Sequence, residues 1–317
     1  MNRNTLYYQL LKQRRRNMGA GNRKRSYNTK LPMWLYPHAW ENRYYRNIRA
    51  LLKLFTNITE EMVPVKKIQE WVDEFKTDTF ENEFDRLIEN LEQLQQTTFN
   101  GKENDKTRLF LSTVALGISD FNQSQFQKQN KIILGMNYIE SEPWEQDVIN
   151  NWKKNNYKLI KTLSDDYIKE VNRIISEGVE FGVSSGELKK QIRALDEKIT
   201  GSRARLIARD QVGKLNGQFT KRRQTIAGID LYTWLTANDE RVRGKPGGKY
   251  PNAKKKHWNI HNKICKWDNA DVYSEDGINW VSRPSNMQDL IPGQDIQCRC
   301  TAIPFMKFIY GDIDKNL

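Results

Sequence analysis

The chain has 317 residues and a formal net charge of +13, with 52 Lys and Arg against 39 Asp and Glu. That length suggests two domains and a real buried core. No apolar run reaches the roughly 18 residues of a membrane span, and the polar, basic start lacks the apolar stretch of a secretory signal.

The charge is concentrated at one end. Residues 1–40 contain no Asp or Glu, and the first 53 residues carry +12 of the +13. Arg14, Arg15, Arg16, Arg23, Lys24 and Arg25 form two basic clusters there. Such clusters release counterions from double-stranded DNA, which makes binding indifferent to sequence and sensitive to salt. Tyr7, Tyr8, Trp34, Tyr36, Trp40, Tyr44 and Tyr45 interleave with the basic residues. They suit either stacking on bases or anchoring on a protein partner, and the bland alternative is a solvated tail. Residues 1–40 are therefore expected to be a basic flexible arm, with Gly19–Lys30 as a link and an extended or turning stretch around Trp34, bracketed by Pro32 and Pro37.

A helical domain is expected over 41–184. Phe84, Leu87, Ile88, Leu91 and Leu94 recur at steps of three and four. Asn100–Asp105 reads as a loop, succeeded by a helix from Lys106 to about Gly117. A long helix is expected from Glu145 to Ser176. Gly178, Gly182 and Gly186 punctuate the stretch after it, and Ser184 with Glu187 is a capping-box signal for another helix.

The third segment, 185–317, is expected to be a small α+β domain with a few antiparallel strands. A helix from about Ser202 to Ala227 carries Gly213 and Gly217 on one face, which suggests a close helix contact, and Gly228 reads as its C-cap. Ile229–Thr236 alternates as a buried strand. Asp276-Gly277 marks a hairpin within Val272–Trp280, and Ile296–Pro304 reads as a final strand. The whole chain is thus α+β, with a mainly helical N-terminal region.

The order of features from residue 202 onward is specific. A helix carries Ala208-Arg209-Asp210-Gln211, and a strand carries Trp234-Leu235-Thr236. Asp239-Glu240-Arg241-Val242-Arg243 comes next, then His257, then Pro292-Gly293 and Cys298-Arg299-Cys300. Over about residues 185–305 this set resembles the minor head proteins of tailed bacteriophages, the group named after the head morphogenesis protein F of phage Mu. In that group the His comes soon after Arg-Val-Arg. Here Gly244–Lys256 intervenes as a basic loop, so His257 is the better match and His261 the alternative.

The resemblance implies a virion protein inside the head near the portal vertex, made in the host bacterial cytoplasm. It implies contacts with portal protein, with major capsid or scaffold protein, and with packaged DNA, and in some relatives departure with the genome at ejection. By the same resemblance Asp239, Arg241, Arg243, His257, Cys298 and Cys300 are motif residues with a structural role. Asp239 and Glu240 beside Arg241 and Arg243 suit a semi-buried ion-pair network, with contact of Arg243 to phosphate or to a portal carboxylate as the alternative.

Three cysteines are too few and too odd in number for a disulfide framework, and they fit a reducing cytoplasm. His257, Cys265, Cys298 and Cys300 would supply four ligands to a structural Zn²⁺, although the spacing is not that of a standard finger or ribbon. Otherwise the cysteines are small buried hydrophobes and His257 a hydrogen-bonded core residue. A competing function is a metal-dependent nuclease built on His257 and His261 with Asn259 and Asp268. The cysteines would close such a site, and no hydrolase triad, P-loop or dinucleotide fingerprint is present, so a non-enzymatic protein is expected. A zinc-containing DNA-binding regulator lacks any recognition-helix signature.

Overall fold

A computed structural model of the protein describes residues 5–17, 31–62, 70, 79–100, 103–138 and 140–306. Helices dominate up to Ile226, and a five-stranded antiparallel sheet comes after them, so the chain is α+β. Two compact units are interleaved along the sequence. One takes Met1–His38, Gly117–Pro143 and Arg209–Leu317, and the other takes Ala39–Leu116 and Trp144–Ala208. The sequence pattern instead suggests contiguous segments with boundaries at 40 and 184.

The all-helical unit is built from α2 (His38–Met62), α3 (Thr79–Asn100), the start of α4 (Glu103–Leu134), α5 (Glu145–Glu180) and α6 (Ser185–Asp196). The apolar stripe of α3 packs on α5, with Phe84, Leu87 and Leu91 buried and Ile88 and Leu94 half-buried. The Tyr44 hydroxyl donates to Asn156 Oδ1 at 2.7 Å within this core, and the Trp152 ring lies 5.3 Å away. Helix α5 closes at Gly182, whose φ of 64° suits a residue without Cβ. Its N–H reaches the Val179 carbonyl at 3.2 Å and that of Val183 the Gly178 carbonyl at 2.7 Å, a Schellman ending. Ser184 then caps α6 by accepting from the Glu187 N–H, as its spacing predicts.

The α+β unit contains α1 (Leu6–Asn17), the remainder of α4, most of α7 (Ala204–Ile226) and the sheet. Its strands are β1 (Leu231–Leu235), β2 (Ile264–Lys266), β3 (Val272–Ser274), β4 (Trp280–Ser282) and β5 (Thr301–Pro304), in the order β4-β3-β2-β1-β5. Strand β1 is flanked on both sides, with Tyr232 opposite Cys265 and Trp234 opposite Ala302. Its aromatic residues, not the Leu231 and Thr233 set, form the fully buried face. The expected hairpin across Asp276-Gly277 is present as β3 and β4. The expected final strand is shorter than Ile296–Pro304: turns run from Pro292 to Gln297, where φ is 55°, and pairing begins at Thr301.

Two expectations for the N-terminal half also change. Helix α4 does not stop near Gly117 but continues to Leu134, because its polar residues find partners within the α+β unit. Asn122 Nδ2 donates to Asn216 Oδ1 at 2.9 Å and to Thr220 Oγ1 at 2.7 Å. Gln125 brackets the backbone of Leu35, accepting its N–H at 2.5 Å and donating to its carbonyl at 3.1 Å. Residues 6–17, placed in the flexible arm, form a helix with Tyr7 and Leu11 in the core, and the Tyr7 hydroxyl donates to Asn130 Oδ1 at 3.0 Å. The link at Gly19–Lys30 lies outside the described residues. A buried Arg223 completes this seam. It makes a two-pronged ion pair with Glu142 at 2.7 Å per arm and donates to Ser119 and Asn122. Every donor direction of the guanidinium therefore meets an acceptor, as burial of an Arg demands.

Gly213 and Gly217 do meet a close neighbour, but it is a loop and not a helix. A Cβ at Gly213 would overlap the Cys298 carbonyl oxygen, and one at Gly217 the Pro292 carbonyl oxygen. Gly293, at φ 86°, faces back onto the Gly213 carbonyl in the same way. Gly217→Ala is expected to destabilise the protein by about 1–3 kcal/mol through overpacking against backbone that cannot yield. Gly186→Ala in α6, where a Cβ meets nothing within 4 Å, is expected to be neutral or stabilising. Chemical denaturation of both variants checks this pair, and equal losses would refute the packing account.

Candidate functional site

The loop pinned by these glycines carries the residues of interest. Asp210 on α7 accepts from the Gln297 N–H at 3.1 Å and pairs with Lys214 Nζ at 2.7 Å. Arg209 reaches the Gln297 side chain at 3.3 Å. The Ala-Arg-Asp-Gln motif thus fixes the left-handed turn that leads into Cys298.

His257 opens a short 3₁₀ turn, His257–Ile260, and is 3% exposed. Its Nε2 lies 3.0 Å from Asp295 Oδ2. Its Nδ1 lies 3.5 Å from Cys298 Sγ and 3.4 Å from Cys300 Sγ. Both sulfurs are buried, and the edge of Trp234 closes the imidazole from the sheet side with ring centres 5.8 Å apart. Asp295 is a hub. It also pairs with Arg243 Nη1 at 2.8 Å and Lys255 Nζ at 3.4 Å and accepts from the Ile296 N–H at 2.9 Å.

Cys298 and Cys300 converge although they do not lie on a paired strand. Cys265 does not join them. It sits on β2, and its thiol lies 3.8 Å from the Lys263 carbonyl. The four-ligand set expected from the sequence is therefore reduced to His257, Cys298 and Cys300, whose ligand atoms lie within 4.8 Å of one another. The nuclease grouping does not assemble either. His261 Nδ1 faces the Thr236 N–H at 3.2 Å, and neither His261 nor Asp268 belongs to a metal-competent group among the described residues.

The ion-pair network is present, with partners that the sequence order does not suggest. Asp239 pairs with Arg241 at 2.9 Å and, across the sequence, with Arg299 at 2.7 Å. Arg243 goes to Asp295 instead, and Glu240 turns outward to Lys249 at 2.9 Å. Arg209, Arg241, Arg243, Lys249 and Arg299 line an open cleft of about 680 Å³, and the loop Tyr250–Ala253 forms one wall. No acidic side chain lines it among the described residues.

Of the N-terminal cations, Arg14 is committed internally: its Nη1 donates to the Ile132 carbonyl at 2.6 Å. Arg16 is exposed, while Arg23, Lys24, Arg25 and the Arg15 side chain lie outside the described residues. Asp295 and the bracing role of Asp210 are the parts of the site that sequence reasoning misses. The one available signal is a carboxylate placed between Pro292-Gly293 and Cys298, in a chain with a motif His.

Residues 169–303 match the sequence model of the family described as phage Mu protein F like protein. This stretch, less than half of the chain, is similar to that family and is termed the Mu F-like domain. The family is one of bacteriophage head morphogenesis. An uncharacterized protein of Haemophilus influenzae is 28% identical over 169 residues, 53% of this chain and 32% of the relative. An uncharacterized protein of Methanocaldococcus jannaschii is 23% identical over 154 residues, 49% of this chain and 19% of the relative. The matched stretches therefore span about a third and a fifth of the lengths of these relatives. No solved structure matches the chain.

Electrostatics within the Mu F-like domain are set by this geometry. Burial opposes charge on His257, but the neighbouring Cys298 sulfur and Asp295 outweigh it and raise the imidazole pKa. The hydrogen bond from Cys300 pulls the Cys298 thiol well down, against burial and with help from His257. Burial pushes Cys300 up, and Cys298 adds to this. For Asp239, partial burial raises the pKa, but the hydrogen bonds from Arg299 and Arg241 outweigh it and hold the carboxyl below its usual value. A depressed carboxylate stabilises the fold above the unfolded pKa of about 3.9, and that contribution is lost as pH falls through the folded value. The stability difference between the wild type and Asp239→Asn, measured by urea denaturation, is expected to be constant near neutral pH and to shrink below about pH 4. A difference that does not depend on pH would refute the pairing.

Proposed function

We propose that the protein is a minor head component of a tailed bacteriophage virion, placed inside the head near the portal vertex. In this reading it contacts portal protein and major capsid or scaffold protein during head assembly, binds packaged double-stranded DNA without sequence preference, and takes part in genome ejection. The Mu F-like match over residues 169–303 is the observation that carries it. The arrangement of charge supports the DNA contact. A cleft lined by four Arg and one Lys is suited to phosphate oxygens, and the basic residues Arg16, Arg23, Lys24 and Arg25 add to the positive field. In this reading the role is structural, which the head-morphogenesis family supports; His257 is buried and His261 Nδ1 faces the Thr236 N–H.

Co-sedimentation with portal protein from the same source tests the assembly role. Association at micromolar concentrations is expected, and its absence would remove the portal from the proposal. The DNA contact is tested by substitution and not by deletion, because Tyr7 and Leu11 of α1 belong to the core. Arg23→Gln, Lys24→Gln and Arg25→Gln together are expected to weaken duplex binding several-fold at low salt. They should also lower the salt slope by up to about 2–3, since each lost phosphate contact removes roughly 0.9. Unchanged affinity would assign these residues to protein contacts.

A further inference from the structure

We propose that the Mu F-like domain holds one structural zinc ion, ligated by His257 Nδ1, Cys298 Sγ and Cys300 Sγ, with Asp295 orienting the imidazole. The proposal is independent of the virion role. It rests first on distance. Zn–S bonds of about 2.3 Å and Zn–N bonds of about 2.0–2.1 Å at tetrahedral angles place sulfur and nitrogen ligands about 3.5–3.6 Å apart. The observed separations from Nδ1 are 3.5 Å to Cys298 and 3.4 Å to Cys300. The two nitrogen–sulfur edges of a zinc tetrahedron are thus already met, and all three ligand atoms lie within 4.8 Å of one another.

It rests second on donor and acceptor inventory. Nε2 faces the Asp295 carboxylate, which only accepts, so Nε2 carries a hydrogen and a neutral imidazole presents its lone pair at Nδ1. That lone pair accepts from one thiol, yet two converge on it. Without a metal, only one sulfur can donate to this nitrogen, and the Cys300 thiol must turn to the Cys298 sulfur instead. Zinc removes the conflict. Two thiolates neutralise the ion, the imidazole binds uncharged, and the remaining Asp295 charge is met by Arg243 and Lys255. A carboxylate behind a metal-bound His is the usual outer-shell arrangement, and it fixes the tautomer.

Third, the position suits a staple and not a catalyst. The ligands join the 3₁₀ turn at His257 to the loop that enters β5, in a sheet whose strands are three to five residues long. All three ligand residues are buried. No fourth His, Cys, Asp or Glu joins the group among the described residues, so a water would complete the tetrahedron, and the burial of all three ligand residues is what favours a structural role.

The test is metal analysis of the full chain, expressed with zinc in the medium and purified without chelator. About one zinc per chain is expected, retained in Cys265→Ser and lost in Cys298→Ser and Cys300→Ser. Because the last two variants risk misfolding, the wild type is also reconstituted with Co²⁺ alone after zinc removal. A thiolate-to-cobalt charge-transfer band with intense tetrahedral d–d absorption is expected, together with a lower melting temperature for the metal-free protein. Less than about 0.2 zinc per chain with no cobalt thiolate band would overturn the proposal. Loss of zinc in a folded Cys265→Ser would overturn the ligand assignment.

Discussion

The close approach of helix α7 to the loop 292–298 is the constraint on which the C-terminal site depends. Gly213, Gly217 and Gly293 leave no side chain between the two backbones, so carbonyl oxygens of Pro292 and Cys298 sit where Cβ atoms would otherwise be. With the loop held this way, Asp210 and Arg209 on the same helix reach Gln297 and set its left-handed turn. That turn brings Asp295 to Nε2 of His257 and both Cys298 and Cys300 to its other nitrogen. A strand could have aimed the two sulfurs to one side by alternation alone. The protein instead does it with a turn fixed from outside, which ties the geometry of the sulfur pair to the packing of α7.

Charge is used in two ways within the α+β unit. Arg223 is buried and fully paired, with Glu142 and with Ser119 and Asn122, so its role is to fix geometry at a substantial desolvation cost. Arg241, Arg243 and Arg299 are paired on one side with Asp239 or Asp295 and open on the other to a cleft. Their carboxylate partners hold the guanidinium planes in place, leaving Arg241 and Arg243 partly exposed while Arg299 is nearly covered. Such an arrangement presents an ordered cationic surface at a lower entropic cost than free arginines would incur.

Much of the helical architecture is visible in the sequence. The stripe Phe84, Leu87 and Leu91, the Ser184 cap and the Gly228 ending are local features, set by residues within one or two turns. The Asp276-Gly277 hairpin belongs to the same class. The continuation of helix α4 past Gly117 is not visible, because its polar residues are satisfied by partners distant in sequence: Asn216 is 94 residues from Asn122 and Leu35 is 90 residues from Gln125. Helix α1 is hidden for a similar reason. Tyr7 and Leu11 are too few to announce a core element in a strongly basic segment, and only their burial against Asn130 and neighbouring residues explains them.

By itself the sequence determined the α+β class, several helix boundaries, the concentration of charge in the first 53 residues and the ordered motif of the Mu F-like domain. It also singled out His257, Cys298 and Cys300, because rare residue types in a fixed order survive translation into one dimension. Tertiary structure alone decided which of the cysteines meet His257, that Asp295 stands behind it, and that Asp239 pairs with Arg299 and not Arg243. These are choices among residues separated by about 40–60 positions. They are settled by where backbone chains can approach, and three glycines with no side chain of their own set that approach.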